Sequence, residues 1–264
     1  MKIAVWQALS TPCNIEENYQ RLATVAKQAV EQGAELLVTP EMFITGYNIG
    51  DSAQSLAKQS PLEQVRHIAR KYHIGLVVGG PEWYEPEAGA AHCFNAVHLI
   101  DDNGHLLARY HKTHLFGALD RDMFTAGDTL SPVVTYKGVK IAMMICYDVE
   151  FPENVRAAAL AGAQLICVPT AQMQPFSHVN ALLIPTRAWE NQVYIAYANQ
   201  QGLDGELEYV GKSVIAAPSS SVLAMAPDKG EALIYAEVDA DIVMAAQEQN
   251  PYLSDLRQSL FRTE

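Results

Sequence analysis

Apolar residues along this chain gather in short runs. Lys2–Gln7, Leu36–Thr39, Ile74–Gly79, Ala96–Asp101, Leu106–Tyr110, Val139–Ile145, Gln164–Pro169 and Tyr194–Asn199 are each too short for a helix and bounded by polar or turn residues, so they predict buried strands. Between several of them the apolar spacing becomes helical. Asn14-Ile-Glu-Glu opens a helix whose Leu22, Val25, Ala26, Ala29 and Val30 share a face, and Gly33 ends it. Further helices are predicted over 61–72, Pro152–Ala161 and Ala181–Gln192, and Asp239 caps a last one reaching Asn250. Asp102-Asn103-Gly104 is a hairpin turn between two of the strands. More strands are expected near Ser213–Ala217, Ser221–Ala226 and Ala232–Val238.

His111–Pro132 has neither periodicity and predicts a long loop, which Phe116, Met123 and Phe124 keep from being disordered. Strand–helix units interleaved with hairpins predict an α/β domain over 1–264: two mixed sheets packed face to face, with helices outside.

The 264 residues are 49% hydrophobic and 18% charged, enough for a core that needs no disulfide or metal staple. The formal charge is −12 with no Lys/Arg run, which argues against nucleic-acid and anionic-membrane partners. The N-terminus enters a strand at once and no apolar run could span a bilayer, so a cytoplasmic protein is expected. Cys13, Cys93, Cys146 and Cys167 show no ligand or pairing spacing, which predicts neither a zinc site nor a disulfide framework.

Three polar residues stand at the ends of apolar strands. Cys146 closes Val139–Ile145 and precedes a polar turn, unlike Cys93 and Cys167 in their apolar contexts. Glu41 follows Leu36–Thr39 behind Pro40, among apolar neighbours that should raise its pKa toward that of a general base. Lys112 follows Leu106–Tyr110 at the mouth of the long loop, where its ammonium could lower a thiol's pKa and stabilise an oxyanion. Taken singly, each is more often a structural residue. Together they describe base, cation and nucleophile for thiol-based acyl transfer. A Cys–His dyad using His111 or His114 is the second reading, weakened because no partner Asn or Asp can be placed for either histidine.

In these stretches the chain resembles the nitrilase superfamily, the carbon–nitrogen hydrolases. TPEMFITGY (39–47), YHKTHLF (110–116) and MMICYDVEFPE (143–153) are similar to that family's glutamate, lysine and cysteine motifs, in the family's order. The resemblance implies a four-layer αββα sandwich, no metal or organic cofactor, and pairing into homodimers or larger assemblies, with the 251–264 tail used in such contacts. It implies Glu41 as base and later acid, Lys112 and the backbone N–H of Tyr147 as oxyanion donors, and Cys146 as nucleophile. Asp120 stands where many members carry a second glutamate, and from there it could contact Lys112 or the substrate amide.

The detailed wording is most similar to bacterial aliphatic and ω-amino amidases such as 5-aminovaleramidase. That implies a small carboxamide substrate. Tyr47, Phe116, Glu150, Thr170, Ala171 and Met173, each on a loop near a catalytic strand end, are its pocket candidates, with packing or capping the competing reading for each, and Glu150 could pair with a substrate ammonium. Hydrolysis of a nitrile or an N-carbamoyl amine by the same residues is the alternative. A non-catalytic binding subunit is a more distant one, since none of the three chemical residues is missing. Arg187 and Glu190, three apart on one predicted helix, should pair as structural or interface residues.

Overall fold

The computed structural model describes residues 1–59, 62–87 and 89–261. The chain begins with β1 (Lys2–Gln7), α1 (Ile15–Glu31) and β2 (Leu36–Val38), then α2 (Ala53–Ala57), α3 (Leu62–Tyr72), β3 (Gly75–Tyr84), β4 (His92–Ile100) and β5 (Leu106–His111). Its middle runs through α4 (Gly117–Met123), β6 (Val134–Tyr136), β7 (Val139–Met143), α5 (Pro152–Leu160), β8 (Leu165–Thr170), α6 (Ile184–Asn191) and β9 (Tyr194–Asn199). It ends with β10 (Gln201–Asp204), β11 (Leu207–Val210), β12 (Val214–Ala216), β13 (Val222–Met225), β14 (Ala232–Glu237), α7 (Ala240–Gln249) and α8 (Tyr252–Asp255).

Two six-stranded sheets result, ordered β14-β1-β2-β3-β4-β5 and β13-β12-β9-β8-β7-β6. Each has three parallel strands at its centre, β1-β2-β3 and β7-β8-β9, flanked by antiparallel ones. Strand alternation sorts the side chains into layers. Ile3, Val5, Leu36, Val38 and Val77 of the first sheet meet Ile141, Met143, Leu165, Cys167 and Ala196 of the second in one central core. Their neighbours face outward: Trp6, Leu37 and Val78 pack under Leu22 and Val25 of α1 and Ile68 of α3. On the second sheet Ala142, Ile166 and Ile195 pack under Val155 of α5 and Ala188 of α6. This is the expected αββα sandwich.

The helix starts follow local chemistry. Asn14 accepts from the Glu17 N–H at the head of α1, Asp239 does the same for Asp241 at α7, and Pro152 stands in the first turn of α5. Pro61, the expected start of the second helix, lies outside the described residues. Several short elements escaped the pattern, α2, β6 and α8 among them. The predicted long loop contains α4, too short to show a period, and β10–β11 is a hairpin whose polar residues hid its alternation. The tail begins with α8, where the Tyr252 ring meets Trp189 of α6 edge-on at 6.1 Å.

Direction matters for the site. β5 runs parallel in space to β2 and β3, being two antiparallel steps from β3, so β2 and β5 end at the same edge of their sheet. β7, β8 and β9 end together at one edge of theirs. The Glu41 N–H donates to Thr170 O at 3.3 Å and Ala8 bridges to Gln200, so these two edges face each other.

Candidate active site

Glu41 leaves β2 in a tight turn that leans on β3. Gly79 makes room for it, because a Cβ there would lie 2.7 Å from the Met42 nitrogen. Met42 takes φ 53°, a left-handed conformation that an ordinary side chain resists. Cys146 does the same at φ 47°, at the start of a short 3₁₀ turn, Cys146–Glu150. Lys112 follows β5, with its N–H on Asn95 O at 2.9 Å and its carbonyl accepting from Gly127. A strained backbone at two of these strand ends is typical of side chains aimed into a site.

The side chains of Glu41, Lys112 and Asp120 are all fully buried. Lys112 Nζ donates to Glu41 Oε1 at 2.8 Å and to Asp120 Oδ2 at 2.7 Å. Asp120, on α4, also accepts from the Tyr47 hydroxyl at 2.8 Å and from the Phe116 N–H at 2.8 Å. Of the two contacts open to it, Asp120 therefore makes the one with Lys112. Its two oxygens together accept from Lys112, Tyr47 and Phe116, which braces the ammonium.

Burial alone would discharge Lys112, but Glu41 and Asp120 hold its pKa well above the ordinary lysine value, and it stays an ammonium. Burial raises the Glu41 pKa, Lys112 pulls it back, and the Asp120 charge adds to the rise. Cys146 is raised by burial first and by Glu41 second, and Lys112 opposes them without prevailing. The expected lowering of the thiol by the ammonium is thus outweighed by burial and by Glu41. Glu41 Oε1 accepts from Lys112 and from Asn95 Nδ2, the latter at 2.7 Å, while Oε2 has no hydrogen-bond partner among the described residues.

Cys146 borders a cavity of about 320 Å³ walled by Tyr47, Phe116, Tyr147, Ala171, Met173 and Phe176, with Glu150, Gln172 and His178 as its polar members. Thr170, expected on this wall, is buried beneath it, and its hydroxyl donates to Tyr197 at 3.0 Å. The Glu150 carboxyl is raised by burial against the pull of His178 and Arg187. Arg187 pairs with Glu190 at 2.9 Å as expected, and its guanidinium also donates to Val149 O and Glu150 O, bracing the turn after Cys146.

Neither histidine of the alternative dyad has Cys146 as a partner. His111 Nε2 meets Glu82 at 3.2 Å, and His114 Nδ1 meets Asp148 at 2.9 Å. Asp148 accepts from the Tyr110 hydroxyl and the Ile145 and His114 N–H groups, fastening the cysteine turn to the lysine loop. Sequence reasoning missed Asp148, Asn95, Gln172, Phe176 and His178. For Asp148 a signal existed in the polar turn after Cys146; for Asn95, inside an apolar strand, a buried amide was the only hint.

The profile of the carbon–nitrogen hydrolase family matches residues 2–247. The "Hydrolase in pqqF 5′ region" of Pseudomonas protegens is 44% identical over 99% of this chain and 90% of its own length. An (R)-stereoselective amidase of a Pseudomonas species is 30% identical over 94% of this chain and 86% of its own. Among solved structures, an amidase of Nesterenkonia sp. superposes with a TM-score of 0.87 at 36% identity, covering 99% of this chain and 95% of that one. Sequence and fold agree with each other over nearly the whole length, and the protein belongs to the carbon–nitrogen hydrolases, the nitrilase superfamily of enzymes that hydrolyse C–N bonds.

Proposed function

We propose that this enzyme hydrolyses small aliphatic carboxamides, ω-amino carboxamides among them, to the acid and ammonia through a thioester on Cys146. One observation carries the reading: Cys146 shares a buried site with a Glu41–Lys112 pair joined at 2.8 Å, in which Glu41 Oε2 has no hydrogen-bond partner among the described residues. A thiol that is not already a thiolate needs a base during attack, and Glu41 is the buried base beside it.

Glu41 takes the Sγ proton as sulfur bonds to the carbonyl carbon. The oxygen gains negative charge and is met by Lys112 Nζ and the Tyr147 N–H, each such donor contributing about 3–4 kcal/mol to the barrier reduction. Glu41 returns the proton to nitrogen, the C–N bond breaks, and ammonia leaves the thioester. Water then loses a proton to Glu41 as its oxygen bonds to the acyl carbon. Collapse releases the acid, and sulfur regains its proton.

Relatives support a cysteine nucleophile acting on small amides: structures of mutants of the Nesterenkonia amidase show the acetamide moiety of fluoroacetamide added at the active-site cysteine, and a complex with butyramide. For the ω-amino class the support is the wall itself. Glu150 is an acidic side chain among Phe116, Tyr147 and Phe176, a setting that suits an ammonium through charge and ring faces together.

Ammonia release from a panel of amides, nitriles and N-carbamoyl amines tests the reaction: amides should be turned over, and release from nitriles alone would overturn it. Glu150→Gln should lower kcat/KM for 5-aminovaleramide about 10-fold more than for valeramide, a loss of about 1.4 kcal/mol in transition-state binding. Equal losses on both would remove Glu150 from ammonium recognition.

A further inference from the structure

We propose that Asn95 is a positioning residue that decides which oxygen of Glu41 carries the proton, pinning Oε1 so that Oε2 alone faces the chemistry. The proposal rests on Glu41 being the base. Asn95 lies within β4, opposite Pro81 of β3, and is 1% exposed. Its Nδ2 donates to Glu41 Oε1 at 2.7 Å, and its main-chain carbonyl receives the Lys112 N–H at 2.9 Å. One residue therefore grips the carboxylate with its side chain and the lysine with its backbone.

The geometry is needed because a carboxylate can turn about its last bond and exchange its oxygens. Lys112 alone would not prevent this, since an ammonium on a four-carbon stem can follow either oxygen. A planar amide anchored in the middle of a sheet cannot. With both donors on Oε1, the oxygen without a partner among the described residues is Oε2.

Protonation at Oε2 also leaves Oε1 a carbonyl oxygen, which still accepts from Lys112 and Asn95. The hydrogen bonds are then the same before and after each transfer, and the site has little to reorganise as the proton goes from Sγ to Oε2, from Oε2 to the leaving nitrogen, and from water to Oε2. A proton placed on Oε1 would have to displace one of the two donors.

The titratable groups around Glu41 are Lys112 beyond β5, Asp120 on α4, and Cys146 after β7, with the phenols of Tyr47, Tyr197 and Tyr209 also within electrostatic range. The Asn95 hydrogen bond favours the ionised carboxylate. Removing it makes Glu41 hold its proton to higher pH, so the base is lost at a higher pH on the acid side.

The test is the pH profile of amide hydrolysis by Asn95→Leu and Asn95→Asp. Asn95→Leu keeps the volume without the donor, and kcat should fall about 10–100-fold with KM little changed. Its acid limb in kcat/KM should move upward. Asn95→Asp keeps the shape and turns an acceptor toward Oε1, so the same changes should be larger. A residue that merely fills space would leave the acid limb of Asn95→Leu in place, and that result overturns the proposal. If Asn95→Leu does not fold by circular dichroism, Asn95→Ala, which removes the amide without adding a charge, decides alone. Glu41→Gln and Cys146→Ala run beside them. If both lose activity while the Asn95 profiles match the parent, only this inference fails; hydrolysis by Cys146→Ala would remove the proposed chemistry itself.

Discussion

Lys112 is a lysine kept out of water, and its two carboxylates are the reason it can be. Removing it should show this directly. Lys112→Met leaves Glu41 and Asp120 buried near each other without their cation, at a cost of about 3–5 kcal/mol near neutral pH. The sign with pH follows from linkage. Without the ammonium that pulls it down, the folded-state pKa of Glu41 rises further, so the folded protein binds a proton more readily than the unfolded one and regains stability as pH falls through that value. Urea unfolding should therefore find the deficit largest in alkaline buffer and smaller in acid; a deficit independent of pH would contradict it. Glu41, Lys112 and Cys146 could be read from the sequence because each ends an apolar run, where a polar residue is conspicuous. Asn95 could not, since its partner is brought to it only when β4 lies beside β3 and the turn after β2 folds over both.

At the scale of elements, the site is made by strand ends and by the backbone that lets them approach. β2, β5 and β7 were legible as apolar runs, and their ends bring Glu41, Lys112 and Cys146 together. α4 and the β10–β11 hairpin were not, because each is short and depends on tertiary partners. α4 is held through Asp120 to Lys112, and β11 by pairing of Tyr209 with Met173 and of the Val210 N–H with Gln172 O. Gly79 is the position where an element's geometry reaches the chemistry. Gly79→Ala would press a methyl carbon against the Met42 nitrogen, a backbone atom that can yield only by moving the Glu41 turn. A displacement near 1 Å costs about 100-fold in rate. The variant should bind substrate with little change in KM while kcat collapses, and parental kcat would show that the turn tolerates the shift.

Over the whole molecule, two sheets of the same plan are packed so that their strand ends meet, and the chemistry is divided between them. The first sheet supplies the base and the cation, the second the thiol and most of the turn that shapes the cavity. This division was legible only in part. Alternation and apolar runs predicted two mixed sheets with helices outside, because burial imposes a period of two on every strand. The face-to-face alignment of the two edges depends on links such as Glu41 to Thr170 and Gln200 Nε2 to Glu41 O at 3.0 Å, which join residues far apart in sequence and leave no local trace.

The central claim is that Cys146 carries the acyl group, and peptide mapping by mass spectrometry of enzyme acid-quenched during turnover of butyramide tests it most directly. The account predicts a butyryl mass increment on the peptide containing Cys146, absent from Cys146→Ala, which also stops releasing ammonia. An increment on a peptide holding Cys13, Cys93 or Cys167 instead, or ammonia release by Cys146→Ala at the parental rate, would contradict it.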